Sequence, residues 1–111
     1  MSLTFLDYSR RARPLAIYPN VGDNLEYPTL GICSEAGELA GKVKKIQRDH
    51  AGIIPYDFRV KAMKELGDAL WYLDAICHEL GITLSDVASN NLSKLEDRQE
   101  RGVLKGDGDD R

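Results

Sequence analysis

The chain has few of the residues that usually staple or anchor a small protein. Only two cysteines occur in 111 residues, Cys33 and Cys77. They lack the paired spacing of a zinc site, and each falls in an apolar helical pattern. Two buried thiols in a reducing compartment are therefore expected rather than a disulfide. There are also only two histidines, His50 and His78, and neither follows a glutamate by three positions. That excludes the Glu-x-x-His motif of carboxylate-bridged di-iron bundles. No apolar run approaches the roughly 18 residues needed to cross a membrane. The N-terminus lacks the apolar core of a signal peptide, so a cytoplasmic location is the default expectation. Charge of one sign is not in large excess: 15 basic and 18 acidic side chains leave a net charge of −3. This argues against nucleic acid as the main partner, because phosphate backbones favour clustered Lys and Arg. No internal repeat and no strand-like alternation is present.

What remains is a soluble composition, 42% hydrophobic and 30% charged, long enough for one domain spanning residues 1–111. Helical periodicity dominates. Residues 1–13 suggest a short helix anchored by Leu3, Phe5, Leu6 and Tyr8, stopped by Pro14. Residues 14–27 read as a loop, with Tyr18 and Tyr27 pinning it to the body. A second helix is expected from near Pro28, with a seam at Ile32, Ala36, Leu39, Val43 and Ile46 and an end near Gly52. Gly37 and Gly41 lie inside it. Each costs roughly 1 kcal/mol relative to Ala, which predicts a close approach by another backbone or by a ligand. Asp57 is a candidate N-cap for a third helix, with a seam at Met63, Leu66, Leu70, Leu73, Cys77 and Leu80, ended by Gly81. Thr83-Leu84-Ser85-Asp86 resembles a capping box that opens a fourth. About residues 102–111 are rich in Gly and Asp and read as a mobile tail, or as a loop that orders on binding. The expected architecture is an all-α, four-helix-type bundle. The third helix has more apolar surface than one short chain can cover, so assembly as a homodimer or homotetramer is expected.

Two pairs of acids stand out by context. Glu35 and Glu38, and then Glu65 and Asp68, are each one turn apart inside strongly periodic helices. Acids at that spacing point the same way. If the two helices pack antiparallel, four carboxylates surround one spot, and they cannot stay close and ionised without a cation. Oxygen ligands select hard ions, so Mg²⁺ is favoured, with Mn²⁺ as a substitute. The ordinary alternative is solvated acids paired with lysines, for example Glu38 with Lys42. A carboxylate-held metal leaves positions for water and substrate phosphates. Lys94 and Arg98, one turn apart, would suit those phosphates, with Asn91 and Lys61 in support. The same two cations could simply pair with Glu96 or Glu100 on the surface.

Taken together, Glu35-Ala-Gly-Glu38, Glu65-Leu-Gly-Asp68 and Asn91-Leu-Ser-Lys94-Leu-Glu-Asp-Arg98 resemble the MazG-like nucleoside triphosphate pyrophosphohydrolases. These belong to the all-α NTP pyrophosphatase superfamily, and the resemblance runs from about residue 3 to the C-terminus. It implies Mg²⁺ ligation by Glu35, Glu38, Glu65 and Asp68. It also implies phosphate contacts from Lys94 and Arg98, with lesser support for Lys61 and Asn91. The implied reaction cleaves a nucleoside triphosphate between its α- and β-phosphates, with Glu35 or Glu38 activating water. The tail from Lys105 to Arg111 is similar to the end of small phage- and cassette-type relatives. That likeness makes Lys105 and Arg111 further phosphate candidates. A relative restricted to dUTP, dCTP or phosphoribosyl-ATP would share the acids. A non-enzymatic nucleotide-binding module is the other rival, but it would be expected to have lost some of them.

Overall fold

A computed structural model describes residues 2–111, and these contain four α-helices and no strand. Helix α1 spans Phe5–Ala12 and α2 spans Glu26–Asp49; α3 covers Phe58–Leu80 and α4 covers Leu84–Glu100. Local chemistry accounts for most of the ends. Thr4 and Asp7 form a reciprocal capping box at the start of α1, each side chain accepting from the other's backbone N–H. Pro14 does not release the chain into a loop. It sits in a 3-10 turn, Arg13–Leu15, that prolongs α1. Helix α2 begins two residues before Pro28, and the Tyr27 amide donates to Asn24 Oδ1 at 3.0 Å. At the other end the Gly52 amide donates to Ile46 O, as a glycine cap should.

Asp57 occupies the cap position of α3 but does not act as a side-chain cap. Its backbone is helical, and its carboxylate turns instead to Lys61, 3.1 Å away. Gly81 closes α3 in the left-handed conformation, with φ of 71°. Thr83 Oγ1 accepts from the Asp86 amide and so caps α4.

The short connection between α2 and α3 makes them an antiparallel hairpin, the main packing unit of the chain. Helix α4 lies against α1 and α3. Where α2 crosses α3, Gly31 meets the ring of Tyr72: a Cβ there would stand 2.3 Å from the ring. Gly31 is thus the close-approach glycine. Gly37 and Gly41, expected in that role, face open space within this chain.

Helix α1 is locked to α3 by a buried charge. Asp74 is 2% exposed. It accepts from Ser9 Oγ and, at 2.9 Å, from Arg13 Nε, while the Arg13 guanidinium also covers the Trp71 ring. The loop before α2 is pinned as expected. Tyr18 is buried, stacks on Tyr27 and meets Trp71 edge-on. The Glu79 carboxylate adds further ties, accepting from the amides of Gly22 and Asn24.

The chain is open rather than compact. Its radius of gyration is 17.1 Å, against about 13 Å for a compact domain of this size. Val60, Met63 and Leu66 on α3 and Leu92 on α4 are all more than half exposed. The fully buried apolar set is small, with Ala12, Tyr18, Ile46, Ala75, Cys77 and Leu84 among it. Cys77 is buried, but Cys33 is exposed, contrary to expectation. Its position on α2 is covered by nothing else in this chain. No helix of the described residues is long and apolar enough to cross a membrane.

Candidate metal centre

The antiparallel hairpin brings the two acid pairs face to face. Glu35 and Glu38 project from the middle of α2 toward Glu65 near the start of α3. One carboxylate oxygen from each of the three lies within 4.8 Å of the other two. Asp68 is one turn further along α3 and exposed. It falls outside that tight cluster, yet its charge helps to raise the pKa of both Glu35 and Glu38.

The crowding sets the protonation state. Glu35 is pushed up to about 7, first by its contact with the Glu65 carboxylate, then by burial and by the charges of Glu38 and Asp68. Glu38 is raised too, chiefly by Glu65. Glu65 moves the other way because its neighbours donate to it. Two carboxylates can share a hydrogen bond only when one carries a proton. The crowding therefore favours the protonated form of Glu35 and Glu38.

The donor set fits a hard divalent ion. It is all oxygen and strongly anionic, and Glu35 Oε2 is out of solvent contact with no hydrogen-bond donor. Among the described residues, Lys42 supplies the only nearby ammonium ion pair, at 3.7 Å from Glu65 Oε1. The lysine reaches across to α3 rather than pairing with Glu38 along its own helix.

Of the five cations expected to meet phosphate, Lys61, Lys94, Arg98 and Arg111 are already engaged. Lys94 and Arg98 pair with neither Glu96 nor Glu100. Their partner is Asp109 of the tail. Arg98 Nη2 donates to Asp109 O at 2.6 Å, and Asp109 Oδ1 lies 3.4 Å from Lys94 Nζ. Arg98 is only 4% exposed. The tail holds its shape through Arg111, which donates to the carbonyls of Val103, Leu104 and Gly108. Arg111 is therefore occupied within the tail, while Lys105 and Asn91 are exposed. Lys61, in the first turn of α3, is held by Asp57.

Sequence reasoning missed the Asp109 contact, the Ser9–Asp74–Arg13 group and the part played by Lys42 at Glu65. An acidic tail a few residues after two helical cations was a usable signal for the first of these. The other two join residues far apart in the chain and had no local signal.

An all-helical hairpin with opposed Glu-x-x-Glu and Glu-x-x-Asp pairs defines a class of carboxylate-based metal sites. Comparison with known proteins makes that class specific. Residues 24–103 match the family model described as the MazG nucleotide pyrophosphohydrolase domain, and the chain belongs to that family. It is also 45% identical over 109 residues to the "Gene 37 protein" of Mycobacterium phage L5, covering 94% of this chain and 96% of that one. No solved structure matches.

Proposed function

We propose that this chain is a Mg²⁺-dependent hydrolase that splits nucleoside triphosphates between the α- and β-phosphates, giving a nucleoside monophosphate and pyrophosphate. Mn²⁺ is expected to substitute. Its cellular role would be to clear non-standard or excess nucleotides from the pool. The observation that carries this reading is the cluster of Glu35, Glu38 and Glu65 on a hairpin of the MazG domain.

In this reading Glu35, Glu38, Glu65 and Asp68 hold the metal. The bound ion neutralises phosphoryl charge and lowers the pKa of a water. The chain's own groups do the rest. Glu35 or Glu38 takes the proton as the water oxygen bonds to the α-phosphorus and the bond to the bridging oxygen breaks. The bridging oxygen leaves with the pyrophosphate. Lys94 and Arg98 orient the phosphates once Asp109 has given way. The acceleration comes from positioning and charge neutralisation rather than from a covalent intermediate.

We also expect assembly as a homodimer or homotetramer. The exposed apolar positions of α3, Val60, Met63 and Leu66, need a cover that one chain does not provide.

The test is incubation with a panel of NTPs and dNTPs plus Mg²⁺, with the products separated. Monophosphate and pyrophosphate are expected, and the panel ranks base and sugar preference. A nucleoside diphosphate with orthophosphate would refute cleavage at the α–β bond.

A further inference from the structure

One helical turn before Glu65 on α3, a cavity of about 250 Å³ opens between the end of α2 and the start of α3, with Ile46, Pro55 and Phe58 in its lining. Its walls carry Lys42 and Lys45 from α2, His50 from the connection and Lys61 from α3, with Asp57 as the one acid. Three ammonium groups against one carboxylate leave a local charge of +2, in a chain whose net charge is −3. A water occupies about 30 Å³ in the liquid, so the space suits a multi-atom anion.

The neutralisation of these groups is incomplete. Lys61 is paired with Asp57, but both are well exposed and the pair is easily exchanged. Lys42 stands 3.7 Å from Glu65, beyond a good hydrogen bond. Lys45 and His50 form no ion pair among the described residues. Lys42 is the link between the two regions, since it lines the cavity and also forms an ion pair with Glu65 of the acid cluster. Lys94 and Arg98, by contrast, already hold a carboxylate of the tail.

We propose that this basic cavity is the seat of the pyrophosphate group. It receives the β- and γ-phosphates while the α-phosphate lies over the acid cluster, and it holds the pyrophosphate as it leaves. This rests on the hydrolase reading above. Charge accumulates on the leaving oxygen as the α–β bond breaks, and cations fixed at that end stabilise it without rearranging. Lys42 and Lys45 come from one helix and Lys61 from the other, so the hairpin itself sets their spacing.

The experiment is calorimetric titration of the full chain with inorganic pyrophosphate in the presence of Mg²⁺, alongside orthophosphate and a nucleoside monophosphate. The variants are Lys45→Ala, the double variant Lys45→Ala/Lys61→Ala, and Lys44→Ala as a control on the same helix that does not line the cavity. Pyrophosphate affinity is expected to fall about tenfold in Lys45→Ala and further in the double variant. Lys44→Ala should leave it unchanged, and monophosphate affinity should be the same in all. Unaltered pyrophosphate affinity in the double variant overturns the proposal. So does an equal loss in Lys44→Ala, or a wild-type chain that binds orthophosphate as well as pyrophosphate. Circular dichroism confirms that each variant is folded. The two readings fail separately. Pyrophosphate binding that depends on Lys45, without nucleotide cleavage, removes the hydrolase and keeps the cavity. Cleavage with unaltered affinity in the variants does the reverse.

Discussion

The two charged centres of this chain, the α2–α3 acid cluster and the cationic turn of α4, are solved in opposite ways. On α4, Lys94 and Arg98 share one carboxylate of the same chain, Asp109, and Arg98 is buried. In the cluster, Glu35, Glu38 and Glu65 crowd one another, and the chain offers them one distant lysine. Like charges held by two helices cannot move far apart, so the Glu35 carboxyl is pushed up to about 7. On α4, opposite charges meet within the chain. In the cluster like charges meet, and Lys42 offsets only part of them. The buried Asp74–Arg13 pair extends the first category, and there too both partners come from the same chain.

Substitutions can break this contrast. The largest effect is expected for Glu38→Gln, which removes a cluster charge while keeping the shape. Turnover should fall by roughly 10²–10³ with an unchanged helical spectrum. Full activity would take Glu38 out of the site. Next comes Asp74→Ala, which strands Arg13 beside Trp71. Removing one partner of a buried pair costs about 3 kcal/mol, so thermal unfolding should show a lowered midpoint. A midpoint within a degree or so of the wild type would mean the pair is not structural.

A pH series sharpens the comparison. Glu35 has its folded pKa raised to about 7 by Glu65 and by burial, against an ordinary value of 4.5. Its contribution to the stability of the metal-free chain is therefore complete below about 4.5 and is lost as the pH rises through 7. Metal and proton compete for the same oxygens, so ion binding should strengthen over that same range. Mn²⁺ affinity is expected to be about tenfold weaker at pH 6 than at pH 8, as one displaced proton requires. A flat profile would mean that no proton is held in the cluster.

The smallest effect belongs to the self-neutralised side. Asp109 is 87% exposed at its side chain, and such pairs contribute about 0–1 kcal/mol. Asp109→Asn keeps the carbonyl that Arg98 uses but removes the charge facing Lys94 and Arg98. The KM for triphosphate should fall by no more than about fivefold. A raised KM would make Asp109 a helper of substrate rather than its competitor.

How far each region was legible in the sequence follows the same division. The helices α2 and α3, the glycine stop at Gly81 and the Thr83 cap are local patterns, and the structure keeps them, but of the expected seams only Ile46 and Cys77 are buried, while Ala36, Val43, Met63, Leu66 and Leu80 stay exposed within one chain. The acid pairs were visible because each lies within one helical turn. That α2 and α3 form an antiparallel hairpin then brings Glu35 and Glu38 to Glu65, with no further information needed. What escaped depends on contacts distant in sequence. Asp74 finds Ser9 and Arg13 more than sixty positions away, and Gly31 is required only because Tyr72 crosses it. Gly37 and Gly41 carried the same local signal as Gly31 and are open in this chain. A glycine inside a helix therefore marks a possible approach without saying which helix makes it. Lys94 and Arg98 were read for charge alone, and the tail that meets them has no periodicity to announce it.

The central claim is that the unbalanced acid cluster is a seat for a divalent ion, and Mn²⁺ titration of the full chain followed by electron paramagnetic resonance tests it most directly. Wild-type protein at pH 8 should bind Mn²⁺, and Mg²⁺ should displace it. Glu38→Gln and Glu65→Gln should each lose most of that binding, while Asp109→Asn keeps it. Equal Mn²⁺ binding in the wild type and both glutamine variants would contradict the claim.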